Sequence, residues 1–597
     1  MDNESSNSWK KFRKLRPSSK KLRTKARSLE NVSLKHAHKF IIARMDSIRS
    51  VKRHAIGWLA VVGLLIAVSA FQLLGYQRSY SSYAPIAGGT YAEGVIGPLE
   101  TMNPIFARSP AEQSASRLIF SGLLSYDRVS ELRGDLAKSW TVQDDGKKYI
   151  VVLKEGITWH DGTPVTADDV VYTVSMIKNP LVRSPLYNSW SQIKVAKVAD
   201  DTVSFELMRP YAAFPHALTF GILPKHILGD SAPERLRENE FNRDPIGTGP
   251  FEFSRLQVID PDQGRLIAYF DQNEQYVFGA PRLDRFQLHV FQDSAAVAKS
   301  FQMQEINAAV DVSSDQILEI TTQRPATIVY RTLLADGMFA FLNNDVPEFS
   351  DPQVRKAFVA GTDRTAIIDR LHGFASRLEG PLVANQLPSA LDKRQATFDL
   401  AGANQALDKA GWVTQNNVRV KDGVQLEIDL VGVNSGDYPV IVDELKQQWE
   451  RLGAKVTTRL VEPTDVQQTV LLPRSYDAFV YELELGIDPD VFAYWHVSQA
   501  DPRGLNLSNY KSIIASEALA SAQLRSERAL RVPKYDLFVD TWLQDSPAVA
   551  LYQPQLHYVT SSETEALQSA NTLVNRADRY RSIEEWTINR DWKYTSP

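Results

Sequence analysis

One stretch of the chain is almost entirely apolar. From Ala55 to Gly75 it runs for 21 residues without an ionisable side chain. As an α-helix rising about 1.5 Å per residue, this run is roughly 30 Å long, which is the thickness of a bilayer's hydrocarbon core. The pattern predicts a transmembrane helix over residues 55–75.

The charges on either side of this run predict its orientation. Residues 1–54 contain 16 Lys and Arg against four acids, whereas the rest of the chain contains 51 Lys and Arg against 67 acids. Because basic residues stay on the cytoplasmic side of a membrane, we expect a basic cytoplasmic tail and an extracytoplasmic C-terminal part. The tail is expected to bind anionic lipid headgroups, with a solvated tail as the alternative and no nucleic acid as partner.

A cleaved signal peptide is the other interpretation of this region, since "VSA" before Phe71 has small residues suited to cleavage. The basic segment is too long for a signal peptide, and the apolar run exceeds the usual core of about 7–15 residues. We therefore predict an uncleaved anchor in the cell membrane. The segment "YQRSYSSYAPIAGG" (76–89) is rich in Ser, Tyr and Gly, and residues 76–87 are predicted to be a tether.

Beyond the tether, hydrophobic residues follow strand and helix periods in turn. Tyr149, Val151 and Leu153 alternate with other residues and predict a strand, and "DDG" at 144–146 predicts the turn before it. The segment "DPQVRKAFVAGTDRTAIIDRL" (351–371) predicts a helix. Strands and helices mix without a strict βαβ rhythm, which favours α/β subdomains over a single barrel.

The segment "HDGTPVTADD" (160–169) gathers one histidine and three aspartates, as a metal or acid–base site would. Each aspartate also suits a structural role. Gly162 and Pro164 predict a tight turn that the first aspartate caps. Thr166 is a good helix N-cap, and Asp169 three residues later approximates a capping box. We therefore predict a turn and a capped helix, with no catalytic residue and no metal site.

Composition narrows the classes of protein further. Hydrophobic residues make up 43% of the chain and charged residues 23%, which predicts mostly globular structure. Cysteine is absent, so disulfides, thiolate metal sites, cysteine nucleophiles and a lipid anchor on cysteine are excluded. We also find no Gly-x-Ser-x-Gly and no His-Glu-x-x-His motif.

Several segments, in the right order, resemble the extracellular solute-binding proteins of family 5, the oligopeptide, dipeptide and nickel type. The segment "LAKSWTVQDDGKKYIVVLKEGITWHDGTPVTADDVVYTV" (136–174) resembles the family's signature. The other matching segments are "LETMNPI" (99–105), "PIGTGPFEF" (245–253), "DPQVRKAFVAGTDRTAII" (351–368), "ALDKAGW" (406–412) and "RSYDAFVYELELGIDPDVFAYWHVSQ" (474–499). The resemblance covers roughly residues 88–560.

This resemblance implies an α/β, periplasmic-binding-protein-like fold of type II, with two lobes, a family-specific inserted domain and the N-terminal transmembrane helix. Ligand would bind between the lobes, which close around it by hinge motion. The predicted parts are the tail 1–54, the anchor 55–75, the tether 76–87, lobe I at 88–125 with 240–335 and 550–597, the inserted domain II at 126–239 and lobe III at 336–549.

The resemblance also implies a function. The protein would be a membrane-tethered receptor, not an enzyme, that captures peptides or similar small solutes and delivers them to the permease of an ABC importer. We expect a monomer without a cofactor. A nickel or haem receptor is disfavoured by the few histidines and the absence of cysteine.

Candidate ligand contacts lie on the strand "DAFVYELEL" (477–485). Period-two alternation separates Tyr481, Leu483 and Leu485 from Glu482 and Glu484. Peptide-binding relatives place an acid four positions before the proline of the next turn and a tryptophan three before that acid. Here those positions hold Leu485 and Glu482, so the pattern is not matched, although Glu484 is one residue away. An exposed edge is the alternative role of the two glutamates; two acids on a cleft wall would attract a cationic group.

On the other lobe, the resemblance places Arg108, Ser109 and Pro110 near the ligand backbone, by position alone. Family members bind peptides partly through main-chain hydrogen bonds, which leave little side-chain signature. Trp495 is a further candidate, as an aromatic wall of the site. A place in the core is its alternative role.

Two other functions are compatible with parts of the chain. A sensing or scaffold protein with the same fold would signal through the basic tail, and a tail partner other than lipid would distinguish it. A surface hydrolase is disfavoured because the chain lacks the motifs named above.

Overall fold

A computed structural model describes residues 52–567 and 572–594. Residues 1–51, which make up most of the predicted basic tail, lie outside the described residues. The described residues form two compact units, one that ends at Ala84 and includes residues 591–594, and the other of Pro85–Arg590. They are described separately below.

The strands of the described residues, in chain order, are β1 (Ser81–Ile86), β2 (Thr90–Ile96), β3 (Leu124–Tyr126), β4 (Leu132–Gly134), β5 (Ala137–Gln143), β6 (Lys148–Leu153), β7 (Lys194–Ala199), β8 (Thr202–Glu206), β9 (Phe251–Asp260), β10 (Arg265–Gln272), β11 (Arg285–Phe291), β12 (Ala308–Val310), β13 (Ile328–Tyr330), β14 (Leu333–Leu334), β15 (Asp336–Leu342), β16 (Ala375–Arg377), β17 (Val413–Gln415), β18 (Val418–Lys421), β19 (Val424–Gln425), β20 (Glu427–Val433), β21 (Lys455–Val461), β22 (Ala478–Glu484), β23 (Ala548–Pro554), β24 (Tyr558–Thr560), β25 (Thr572–Leu573) and β26 (Asn589–Tyr594).

The α-helices, in chain order, are α1 (Lys52–Tyr80), α2 (Pro110–Ile119), α3 (Ala167–Lys178), α4 (Tyr187–Trp190), α5 (Lys225–Leu228), α6 (Ser294–Gln302), α7 (Ser314–Gln323), α8 (Pro347–Ser350), α9 (Pro352–Ala360), α10 (Arg364–Arg370), α11 (Leu400–Lys409), α12 (Tyr438–Arg451), α13 (Phe492–Trp495), α14 (Ile513–Gln523) and α15 (Arg528–Asp545).

The first unit contains α1. Residues His54–Leu73 of this helix are long and apolar enough to cross a membrane, by length and composition. Over the predicted tether, residues 76–87, α1 continues to Tyr80 and β1 follows directly. Within this unit the ring of Tyr83 lies 5.6 Å from that of Trp592.

The second unit is built on three main sheets. The first sheet has the strand order β13-β24-β12-β2-β11-β10-β9, in which β2 runs parallel to both β11 and β12. The second sheet has the order β16-β23-β15-β22-β20-β21. The inserted sheet, β5-β6-β8-β7, is antiparallel throughout.

One predicted boundary falls inside a strand. We ended lobe III at residue 549, but β23 continues to Pro554 and pairs with β15 and β16 along its length. Its backbone hydrogen bonds therefore keep residues 550–554 in the second sheet. The three-part division of the chain is otherwise untested.

The hydrophobic cores follow these sheets. One core joins the first sheet to the inserted sheet, since Tyr91 and Val95 share it with Val151 and Phe205. Two more cores cover opposite faces of the second sheet. The helix predicted over 351–371 is divided into α9 and α10, because Asp363 caps a new helix by accepting from the N–H groups of Thr365 and Ala366.

The "HDGTP" segment has the predicted structural roles. Gly162 has φ +83, and the backbone N–H of Thr166 donates to Asp169 at the start of α3 over 2.8 Å. His160 Nδ1 accepts from the N–H of Gly247 over 3.1 Å, and its Nε2 lies 3.2 Å from the carbonyl oxygen of Gly249. Burial lowers the pKa of His160 to about 4, so the neutral ring joins this turn to the loop before β9.

The neutral state of His160 predicts a pH-dependent contribution to stability. The unfolded state takes up a proton near pH 6.5 but the folded state only near pH 4, so stability is lost as pH falls between these values. This lowering of the pKa corresponds to a contribution of about 3 kcal/mol to the free energy of unfolding. In urea unfolding of the full chain in detergent, the advantage of wild type over His160→Gln should shrink between pH 7 and pH 4. A constant advantage would contradict this assignment.

Candidate functional site

A cavity of about 220 Å³ opens between the second sheet and the rest of the second unit. Its lining residues come from the turn before α2, from α2 itself, from β3, from the loop before α5, from the end of β22 and from the C-terminal segment. They are Pro104, Ala107, Gln113, Ser116, Arg117, Phe120, Ser125, Tyr126, Thr219, Phe220, Gly221, Glu484, Asn575, Ala577 and Asp578.

Of the residues that we predicted as ligand contacts, Glu484 lines this cavity. Its carboxylate has no hydrogen bond or ion pair with any residue that the structure describes, and its side chain is exposed. Its backbone is fixed, since the carbonyl oxygen accepts from the Tyr494 hydroxyl over 2.5 Å and β22 pairs with β15. Glu484 therefore presents an uncompensated negative charge to the cavity.

The carboxylate of Glu482 forms an ion pair with Arg576. Arg576 Nη2 donates to Glu482 Oε1 over 2.8 Å, while Nη1 lies 3.3 Å from Asp336 Oδ2 and Nε lies 3.1 Å from Asp311 Oδ1. Burial and the neighbouring Glu482 raise the pKa of Asp336 well above its usual range. Arg576 thus links the C-terminal segment to two strands of the second sheet and to the loop after β12.

The remaining predicted residues of β22 lie on its other face. Leu483 and Leu485 are buried in a core of the second sheet, and the ring of Tyr481 stacks on Phe479 with centroids 5.1 Å apart. The predicted alternation of this strand is correct. It directs these three side chains into or against the core, however, so they do not line the cavity.

Trp495 also belongs to the core. Its side chain is fully buried, with its ring 5.3 Å from Trp542 and 5.7 Å from Phe339. The expectation of an aromatic cleft wall is therefore not supported by its position. Helix α13 turns this side chain inwards, against α15 and β15.

Arg108, Ser109 and Pro110 form the start of α2 and are not among the lining residues of the cavity. Ser109 Oγ accepts from the N–H of Glu112, and Glu112 Oε2 accepts from the N–H groups of Arg108 and Ser109. Pro110 is the first helical residue, where a missing N–H is tolerated. These residues fix the start of the helix whose later turns reach the cavity.

Arg117, on the third turn of α2, is a site residue that sequence reasoning missed. Its Nη1 makes one long hydrogen bond, 3.4 Å, to Asp135, and its other donors have no partner among the described residues. Burial opposes its charge, but Asp135 and other neighbours raise its pKa overall, so it stays protonated. The side chain is 15% exposed, and it lines the cavity as a cation with free donors.

The C-terminal segment adds Asn575 and Asp578, which also were not predicted. Asp578 accepts from the backbone N–H of Asn575 over 3.1 Å, and burial raises its pKa. The same turn is held to β2, since Arg579 Nη2 donates to the buried Glu93 over 2.5 Å. The available sequence signal was the cluster Arg576, Arg579 and Arg581, three cations within six residues of an otherwise acidic region.

Aromatic side chains close the cavity on the side of the inserted domain. The Tyr126 hydroxyl lies 2.9 Å from His216 Nδ1, and burial lowers the pKa of His216, so this ring is neutral. In the described part of the chain, no group of three or more acidic or histidine side chains could hold a metal ion. An open cavity between two sheets, with an acidic and a basic side chain in its lining, is the geometry expected of a solute-binding protein.

Comparison with known proteins gives the family. Residues 131–503 match the family model described as "Bacterial extracellular solute-binding proteins, family 5 Middle". Over 547 residues the chain is 30% identical to the oligopeptide-binding protein AppA of Bacillus subtilis, covering 88% of this chain and 96% of the relative. The chain belongs to the bacterial extracellular solute-binding proteins of family 5, as its motifs predicted.

Solved structures have the same fold. The structure of AppA from Bacillus subtilis in complex with a nonapeptide matches with a TM-score of 0.70 and 27% identity, covering 85% of this chain and all of that one. NikZ from Campylobacter jejuni in complex with Ni(L-His) matches with a TM-score of 0.70 and 26% identity, covering 83% and 99%. The predicted periplasmic-binding-protein-like fold is confirmed, and its family consists of substrate-binding proteins of ABC importers rather than enzymes.

The ion-pair cluster around Arg576 predicts that two arginine substitutions lower the free energy of unfolding by different amounts. Arg576→Met leaves Glu482 and Asp311 without their ionic partner beside the buried Asp336, and should lower the free energy of unfolding by about 3–5 kcal/mol. Arg590 forms an ion pair with Glu565 in which both side chains are about a third or more exposed, so Arg590→Met should cost at most about 1 kcal/mol. Urea unfolding of both variants measures the difference. Equal costs would show that the cluster is not structurally important.

Proposed function

We propose that this protein is a membrane-tethered, extracytoplasmic receptor that captures a peptide in the cavity beside Glu484 and delivers it to the permease of an ABC importer. The observation that carries the proposal is the cavity itself, which has an unpaired carboxylate on one wall and a cation with free donors on another. A free peptide carries the two complementary charges at its ends. The relatives named as oligopeptide- or ABC transporter peptide-binding proteins support this class of ligand.

Glu484 is proposed to bind the ligand's amino group. Its carboxylate reaches the cavity from the second sheet, whereas Arg117 reaches it from α2. A charge-assisted hydrogen bond in such a partly desolvated site contributes about 1.5–3 kcal/mol. Because Glu482 is bound to Arg576, it has no comparable role toward the ligand.

The predicted role of Glu484 leads to a binding test. Glu484→Gln should weaken the binding of a cationic peptide with a free amino terminus by about 10- to 100-fold at low salt, because the ammonium loses its ionic partner. Glu517→Gln is the matched control, since Glu517 is exposed on α14 away from the cavity. Calorimetry on the full chain in nanodiscs measures both affinities. Unchanged binding in Glu484→Gln would remove this residue from the site.

Helix α1 is proposed to anchor the receptor, with residues 1–54 in the cytoplasm, where they contact anionic headgroups, and the second unit outside as a monomer. Lys52 and Arg53 flank the apolar run on its N-terminal side, and its side chains from Ile56 to Leu73 include many large apolar groups exposed to the surroundings. A helix of this kind keeps a receptor near its transporter without a lipidated cysteine.

The absence of cysteine makes this topology directly testable. A single cysteine introduced as Ser350→Cys, at an exposed position of α8, should react with a membrane-impermeant maleimide in intact cells or spheroplasts. The same substitution as Ser33→Cys, in the basic tail, should react only after the membrane is permeabilised. Labelling of Ser33→Cys in intact cells would reverse the proposed orientation.

A further inference from the structure

The first unit carries an exposed aromatic pair on a two-stranded sheet. β1 and β26 pair with each other, so the strand that follows α1 is joined to the last strand that the structure describes. The rings of Tyr83, in β1, and Trp592, in β26, lie 5.6 Å apart with 58° between their planes. These two residues nevertheless remain 53% and 61% exposed. Two large aromatic side chains are thus held together on the surface of a small sheet.

The polar groups of this pair are also unused by the protein. Neither the Tyr83 hydroxyl nor the Trp592 indole N–H has a hydrogen-bond partner among the residues that the structure describes. Tyrosine and tryptophan combine an apolar ring with a polar end, which is why both are enriched where a bilayer meets water. The pair therefore has the chemistry of a side-chain anchor at a membrane interface.

The position of this sheet along the chain brings it to the membrane surface. The apolar run ends at Gly75, and α1 continues for five more residues to Tyr80. Five helical residues rise about 7.5 Å, which is close to the roughly 5–8 Å of headgroup region on each side of the hydrocarbon core. Tyr83 follows three residues later, within about 11 Å of extended chain. An inserted α1 therefore ends where the headgroup region ends, and the aromatic pair lies within reach of it.

The sequence around the pair suits a headgroup environment. Residues 76–83 include three tyrosines and one arginine but no acidic residue. Asp591 is the single acid of β1 and β26. Because side chains alternate along a strand, Asp591 belongs to the face opposite that of Trp592. The aromatic face of the sheet consequently carries no acidic side chain that lipid phosphates would repel.

The same sheet contains both chain connections to the second unit. That unit begins at Pro85, inside β1, and ends at Arg590, inside β26. A simple tether needs one such connection, and the other end of the chain could then lie anywhere. Pairing of β1 with β26 instead joins the C-terminal strand to the strand that leaves the membrane helix. An anchor on this sheet would hold both connections at the membrane.

We propose that the sheet of β1 and β26 is a second membrane anchor, whose Tyr83 and Trp592 rings insert among the lipid headgroups of the outer surface. This inference rests on the proposed anchoring by α1 and adds to it a contact made by the C-terminal strand. The partner is a lipid surface, bound through the apolar faces of two rings whose polar ends reach the hydrated headgroups.

The absence of cysteine allows the depth of single positions to be measured by spin labelling. Tyr83→Cys and Trp592→Cys each place a nitroxide at one ring position and keep the other ring. Leu65→Cys, at the centre of the apolar run, is the reference for the hydrocarbon core. Met208→Cys, at a 72% exposed position of the second unit, is the reference for water.

The full-length protein is placed in nanodiscs of phosphatidylcholine and phosphatidylglycerol, without a transporter. Electron paramagnetic resonance then measures collisions of each nitroxide with oxygen, which concentrates in the bilayer, and with a water-soluble nickel chelate. At positions 83 and 592 the ratio of oxygen to nickel collisions should be about threefold or more above that of Met208→Cys and below that of Leu65→Cys, as an interfacial position requires.

A second pair of variants tests whether the rings cause this depth. With the label at Tyr83→Cys, the further change Trp592→Ser should lower the ratio toward that of Met208→Cys. Trp592→Phe is the matched control, because it keeps an aromatic ring and should largely preserve the ratio. Equal ratios in these two variants would contradict a role of the ring.

The outcomes separate this inference from the anchor on which it rests. If positions 83 and 592 give the ratio of Met208→Cys, or if both collision rates are low as in a protein core, the second anchor is overturned. The anchoring by α1 then stands, provided that Leu65→Cys reports the hydrocarbon core. A water-exposed Leu65→Cys would overturn both.

Discussion

Arg576 binds three carboxylates that the chain supplies from distant places: Asp311 after β12, Asp336 at the start of β15 and Glu482 in β22. Without the guanidinium, three acids would stand close together at the point where the chain passes from the first sheet to the second. Removing the partner of buried or partly buried carboxyl groups is costly, so Arg576 contributes to holding the two sheets together. Arg579, bound to the buried Glu93, holds the same turn to the first sheet.

The ion pairs of Arg576 also determine which charges face the cavity. Glu482 and Glu484 lie on one face of β22 because side chains alternate along a strand. Arg576 neutralises the first, and the second is left to face the cavity without a partner among the described residues. Arg117 then supplies the opposite charge from α2, whose start is fixed by the capping box of Ser109 and Glu112. The proposed ligand site thus contains charged groups that the ion pairs holding the sheets do not neutralise.

Local patterns predicted the elements but not these pairings. Three features depend only on residues that are neighbours in the chain, so the sequence was sufficient to predict them. They are the alternation of β22, the capping box of Thr166 and Asp169, and the apolar helix α1. Arg117 and Asp578 are 461 positions apart in the chain and meet only through the fold, so no local pattern marks them. Arg108, Ser109 and Pro110 were chosen by position alone, and the structure shows the Ser109 side chain as the N-cap of α2. The role of Trp495 could not be decided from the sequence, because tryptophan is equally suited to a cleft wall and to a core.

The central claim is that a solute is enclosed between the second sheet and α2, beside Glu484 and Arg117. A crystal structure of the full-length protein with the ligand that co-purifies from its host tests this claim most directly. The account predicts electron density for a peptide that contacts both side chains. Density for a nucleotide or a lipid there, or a solute bound elsewhere on the protein, would contradict it.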